Sequence, residues 1–170
     1  MARLRVLLVG GGSLGDEQAA DPAISARCLS LAHGLRRLGH DARCLSQWTF
    51  DQAADRLLGF DIYGFHRPTL TTAFSRAYHD LEPKAAATVD FDDFSFDMRR
   101  MAQDELPPCF STLDQAARCA EALSLFTRGT FASKDQLARA VEIAPGLQGV
   151  VLPGDLSARA GEWLELATGR

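Results

Sequence analysis

The chain has 170 residues, a formal net charge of −4 at neutral pH, and a composition that is 46% hydrophobic, 24% charged and 8% aromatic. That length favours one domain and argues against two complete doubly wound domains, while the composition disfavours a disordered chain or a coiled coil. An acidic balance also disfavours nucleic acid as a partner, because neutralising successive phosphates requires a basic face.

The cysteines Cys28, Cys44, Cys109 and Cys119 are scattered, without the close pairing of structural zinc sites, so they read as buried thiols. No metal or cofactor is expected. The opening apolar run ends at glycines after Val9, too short for a membrane span, which points to the cytoplasm.

In chain order, LRVLLV at residues 4–9 has the length and branching of a strand buried on both faces, ended by Gly10 to Gly12. Asp21-Pro22 supplies a helix start, and Ile24, Cys28, Leu31, Leu35 and Leu38 recur at helical spacing until Gly39. Residues 42–46 form a second expected strand, a helix begins near Asp51, and residues 60–66 form a third strand. Leu70, Phe74, Ala77, Tyr78 and Leu81 mark a helix stopped by Glu82-Pro83, followed by a fourth strand over residues 86–91. Pro107-Pro108 interrupts the chain before Thr112 to Gln115, a capping-box pattern opening a helix through Leu123. LSLFT at residues 123–127 reads as a fifth strand; a second capping box at Ser133 to Gln136 opens a helix ended by Pro145-Gly146. Residues 149–153 read as a sixth strand, and the tail around Trp163 and Leu166 as a last helix.

This alternation predicts an α/β fold: a single Rossmann-like doubly wound domain whose mostly parallel six-stranded sheet carries helices on both faces. The expected domain spans residues 1–154, with a helical tail over residues 155–170. Ligands of such sheets bind beyond the carboxyl ends of the strands, so the residues following each strand are the candidates.

Gly10, Gly12 and Gly15 fit G-x-G-x-x-G directly after a strand, where bare amides can approach a pyrophosphate. The acidic residue that would hold a ribose is missing, since the second strand ends in Ser46-Gln47. A plain glycine turn is the alternative. Asp90, Asp92 and Asp93, with Asp97 close by, gather carboxylates at the end of the fourth strand, and alternation turns Asp90 and Asp92 to one face. Such crowding is expected to raise their pKa values and suits a general base, a sugar-hydroxyl partner or a cation site. The bland alternative is that they cap the next turn and pair with Arg99 or Arg100. His66 and Arg67 put a titratable ring and a fixed cation at the same rim, where Arg67 suits a phosphate or carboxylate. Thr127, Arg128, Thr130, Ser133 and Lys134, expected to follow the fifth strand, offer another anion seat. His33, His40 and His79 lack ligand-like spacing and read as surface or packing residues.

The order of RVLLVGGGSLG, SARCLSLAHGLRRLGHDARCL, DIYGFHRP, TVDFDDFSFD, SLFTRGTFASKDQLARAV and GVVLPGD resembles the N-terminal domain of GT-B glycosyltransferases, particularly family 4-like enzymes of bacterial surface polysaccharide biosynthesis. The pieces cover nearly the whole chain, with the signal in their order and spacing. The resemblance implies an acceptor-side domain facing a second Rossmann-like domain that binds the nucleotide sugar, with a glycan or lipid-linked acceptor between them. It places Gly11, Gly12, Ser13 and Gly15 toward donor phosphates or acceptor, with His66, Arg67 and Arg128 as further substrate-binding candidates. Asp92 and Asp93 then stand near the acceptor hydroxyl as catalytic candidates, and the isolated chain is expected to be inactive without a donor-binding domain. A partner chain or homo-oligomer stays open. Two further readings are a non-catalytic Rossmann-like binding module and a small dinucleotide-binding protein.

Overall fold

The computed structural model describes residues 2–11, 22–53, 56–57, 59–81, 85–101 and 113–169. Six parallel strands, β1 (Arg5–Gly10), β2 (Asp41–Ser46), β3 (Ile62–His66), β4 (Ala86–Phe91), β5 (Arg128–Phe131) and β6 (Gln148–Val151), form one sheet in the order β2-β1-β3-β4-β5-β6. The described helices are α1 (Pro22–Arg37), α2 (Gln47–Ala53), α3 (Thr72–Leu81), α4 (Met98–Met101), α5 (Leu113–Leu123), α6 (Lys134–Ile143) and α7 (Ala160–Thr168), the last preceded by a short 3-10 turn at Ser157–Arg159.

Strand order dictates the layers. The step from β1 to β2 runs one way across the sheet, and every later step runs the other way. Because crossovers are right-handed, α1 lands on one face and α2, α3, α5 and α6 land on the opposite face. Leu7, Val9, Tyr63, Phe65, Val89, Phe91 and Phe131 meet the four-helix side, where Phe50, Phe74, Tyr78, Ala116, Cys119 and Ala140 complete the core. Val6, Leu8 and Ile62 point to the α1 side, which α1 alone would leave partly uncovered. Leu156, Ala160, Trp163, Leu164 and Ala167 cover the remainder, so the chain after β6 packs into this second core. The fold is thus the doubly wound α/β architecture that the alternating elements predict.

Two boundaries differ from the sequence reading. The fifth strand is RGTF at Arg128–Phe131, not residues 123–127. Leu123 ends α5, and Ser124 to Phe126 make the turn beyond it, with backbone amides returning to carbonyls three residues back. The apolar residues of that stretch belong to a helix end; Phe126 is buried among the aromatic rings beside Phe65 and Tyr78. Helix α2 starts at Gln47, immediately after β2, rather than near Asp51. The capping box at Ser133 and Gln136 is present in both directions. Asp21, Glu82-Pro83, Pro107-Pro108, Cys109 and Thr112 lie outside the described residues. Of the other thiols, Cys28 and Cys119 are buried and Cys44 is half-buried. Among the described residues, no helix is long and apolar enough to cross a membrane.

At Gly64 in β3, α7 comes close to the sheet. A Cβ there would stand 2.8 Å from both Leu8 Cδ2 and Trp163 Cζ2, and Trp163 is fully buried. Gly64→Ala is therefore expected to cost about 1–3 kcal/mol through overpacking, read as a lower urea midpoint with an unchanged slope. An unchanged midpoint would show that α7 is seated loosely.

Candidate functional site

The strand register builds the site. Ser46, Gly10, His66, Asp90, Thr130 and Val150 lie side by side in one row across the sheet, at or near the carboxyl ends of the strands. Side chains alternate along a strand. Phe65, Val89 and Phe91 point to the four-helix core, so His66 and Asp90 point to the α1 side, where Arg27 descends from the helix.

Asp90 is the centre of this row. Its Oδ1 accepts from Arg27 Nη2 at 2.8 Å and from Thr130 Oγ1; its Oδ2 accepts from Arg27 Nε at 2.6 Å and from His66 Nδ1 at 2.7 Å. Burial alone would push this carboxyl up. The bonds from His66 and Arg27 outweigh it and hold Asp90 well below the usual carboxylate range. The expected rise from crowded acids is thus overturned at Asp90, because its nearest partners are donors and a cation rather than the other aspartates. Arg27 is fastened further by the carbonyls of Leu152 and Gly154, at 3.1 and 3.0 Å, which ties the segment after β6 to the row.

The hydrogen bonds also assign the state of His66. An ionised carboxylate only accepts, so Nδ1 carries the proton. Arg67 Nε, which only donates, lies 3.0 Å from Nε2, so Nε2 accepts and the ring is the neutral Nδ1–H tautomer. Arg67 in turn reaches the rim, with Nη1 2.9 Å from Asp93 Oδ2 and Nε 3.4 Å from Asp92 Oδ1. A connected path of donors and acceptors therefore runs from Arg27 through Asp90 and His66 to Arg67 and Asp93, with Asp92 at ion-pair distance from Arg67.

Arg67 has a left-handed backbone, φ 46, directly before Pro68. A side-chain-bearing residue is disfavoured there, and a residue before proline doubly so. Strain of this kind persists where surrounding contacts fix it, and it clusters at functional positions. Here the Arg67 amide donates to the Asp90 carbonyl at 2.9 Å, and the Gly11 amide to the His66 carbonyl at 2.6 Å. A Cβ on Gly11 would collide with the Arg67 carbonyl oxygen. Gly11 thus permits the close approach of the loops after β1 and β3, at the topological switch point where doubly wound sheets bind ligands.

The sequence candidates separate on this frame. His66, Arg67, Asp92 and Asp93 come together at the rim, and Gly11 lies beside them. Gly12, Ser13 and Gly15 lie outside the described residues. Arg128 is not brought there: it opens β5 at the amino edge, where Nη1 donates to the Ala167 carbonyl at the end of α7, 2.8 Å away. Its displacement follows from the corrected fifth strand. Asp93 also caps the following turn, accepting from the Ser95 amide at 2.9 Å, as the capping alternative expects. Asp97 accepts from the Arg99 amide and pairs with Arg139 at 3.1 Å. Asp92 differs from both. Its Oδ1 is buried and has no hydrogen-bond partner among the described residues, while the side chain as a whole is 25% exposed.

Sequence reasoning missed Arg27, placed Thr130 in a separate anion seat, and placed Asp90 only among the crowded acids. A signal for Arg27 exists. It falls between Ile24 and Leu31 at helical spacing, on the apolar stripe of α1, and a cation on a buried stripe requires a buried carboxylate. Asp90, inside the apolar strand TVDF, is that carboxylate.

No protein-family model matches the chain, and no curated protein matches it. A solved structure with partial similarity is an oxidoreductase from Corynebacterium diphtheriae, 10% identical, aligned over 99% of this chain and all of that one, with a TM-score of 0.45. The class that fold and site define is a doubly wound α/β protein with a buried Arg–Asp–His row behind a charged rim at the switch point.

Replacing Asp90 with Asn strands the Arg27 charge in the interior, which costs about 3–5 kcal/mol when one partner of a buried pair is removed. Because the folded-state pKa of Asp90 is depressed, its contribution is present above the unfolded-state value of about 3.9 and is lost as pH falls through the folded-state value. Urea unfolding is expected to show a wide gap between wild type and Asp90→Asn at pH 7 that narrows in acid. A gap independent of pH would contradict the ionised state.

Proposed function

We propose that the chain is the acceptor-side half of a GT-B glycosyltransferase acting in the cytoplasm, with the rim beside β1, β3 and β4 as the acceptor site. In this reading a nucleotide sugar is held by a separate donor-binding domain, and the acceptor is a glycan or a lipid-linked sugar. The observation that carries the reading is the Asp92 carboxylate: it is partly exposed at the switch-point rim, and its Oδ1 faces Arg67 Nε at 3.4 Å without a hydrogen-bond partner among the described residues. A hydroxyl placed against the exposed side of this carboxylate can give up its proton to it as the hydroxyl oxygen bonds to the sugar carbon and the bond from that carbon to the nucleotide diphosphate breaks, the nucleotide leaving with the donor-binding domain. The thiols of Cys28 and Cys44 fit a reducing compartment.

In this reading Asp92 acts as the base, and the contacts of Asp93 with Arg67 and the Ser95 amide support a holding role for Asp93. Charge also narrows the ligand. Arg27 is matched by Asp90, and Arg67 faces both Asp92 and Asp93, so among the described residues these groups leave negative charge in excess. A neutral, hydroxyl-rich acceptor end suits the rim better than the phosphate or carboxylate that Arg67 suggests when read alone. The dinucleotide reading has less support, since the Gly11 amide is already donated to His66.

Combined with a donor-binding domain, Asp92→Asn is expected to lower transfer about 10²–10⁴-fold, the usual range for a general base, with the fold intact by circular dichroism. Asp93→Asn is expected to act chiefly on stability. Full transfer by the Asp92→Asn protein would remove Asp92 from the chemistry.

A further inference from the structure

The opposite edge of the sheet carries an unusual concentration of one charge. Arg3 and Arg5 lead into β1, Arg36 and Arg37 end α1, Arg43 lies on β2 and Arg56 follows α2; all six are exposed. Contacts gather them at the amino edge of β1, β2 and β3. Arg5 stands beside Asp41 in the strand register and its backbone amide bonds Asp61. The Arg43 guanidinium turns back to Asp41 at 3.5 Å, and the Arg36 guanidinium bonds the Ala42 carbonyl. The turn at Gly59, three residues past Arg56, lies against the Arg5 guanidinium. Asp41 faces Arg43, Asp61 faces Arg5, and Asp80 stands in the last turn of α3 at the same edge. Among the described residues the arginines outnumber these acids, which makes the edge basic in a protein whose net charge is −4.

Helix-end electrostatics explain only part of this. Arg36 and Arg37 complement the carbonyl end of α1, but Arg3, Arg5 and Arg43 belong to no helix terminus. Next to Arg37 in the chain, the apolar Leu38 is 53% exposed. Arginines and an exposed apolar side chain on one edge match an interface in which anionic headgroups overlie hydrocarbon.

We propose that the amino edge of β1, β2 and β3 docks on an anionic lipid surface, with the arginines on headgroup phosphates and Leu38 inserted between them. Strands of this length separate the two edges by about 20 Å, so the docked protein holds its carboxyl rim away from the headgroups, where a glycan reaches it more readily than a sugar on a membrane-embedded lipid. The proposal is independent of the sugar-transfer reading, because it concerns a different edge and needs no turnover.

The test is sedimentation of the full chain with vesicles of phosphatidylglycerol and phosphatidylcholine in equal parts, and with phosphatidylcholine alone. Binding to the first and not the second, weakening as salt screens the charges, is the expected result. Each arginine near such a surface contributes about fivefold in affinity, so the double variant Arg3→Glu with Arg37→Glu should bind at least about tenfold more weakly. Leu38→Glu should also weaken binding; all variants should keep the wild-type circular dichroism spectrum. Absence of vesicle binding, equal binding to both vesicles, or undiminished binding by the folded double variant would overturn the proposal. So would retention on immobilised polyglutamate without vesicle binding, which would give the patch to an acidic protein.

Discussion

A buried guanidinium and a buried carboxylate are each unfavourable alone, so the pair formed by Arg27 and Asp90 imposes a position on everything it touches. Both Asp90 oxygens are doubly bonded, and the donors come from α1, β3 and β5. Arg27 adds the carbonyls after β6. One ion pair therefore fixes the seat of α1 on the sheet, the rotamer of His66 and the course of the chain leaving the last strand.

The rim inherits its order from this pair. With Asp90 ionised, His66 has one tautomer available, and its acceptor nitrogen then holds Arg67. The left-handed backbone of Arg67 is sustained by the same contacts, with Gly11 supplying the space. What reaches the surface is consequently an arrangement of Arg67, Asp92 and Asp93 whose flexibility is removed from below. Preorganisation of this kind lets a site act on a ligand without first ordering itself.

The sequence carried the fold well because each core strand has a distinct apolar run and each helix a distinct stripe. LRVLLV and TVDF have no competing reading as surface segments. It failed at LSLFT, where apolar residues of a helix end and its turn imitate a strand, while the true strand RGTF contains an arginine and a glycine and lacks the usual composition. The rim residues His66, Arg67, Asp92 and Asp93 were legible because they follow strands. The row behind them was less so: Arg27 and Asp90 are 63 residues apart in the chain, and only the α1 crossover brings them together. Arg128 misled for the same reason as its strand, since a shift in strand position moved it from one edge of the sheet to the other.

The central claim is that Asp90 fixes His66 as the neutral Nδ1–H tautomer and so orders the rim. Nitrogen-15 NMR of the His66 imidazole at neutral pH tests it most directly. The account predicts a protonated Nδ1 and an unprotonated, hydrogen-bond-accepting Nε2, with this pattern lost in Asp90→Ala. A protonated Nε2 in the wild-type protein, or a tautomer unaffected by removal of Asp90, would contradict it.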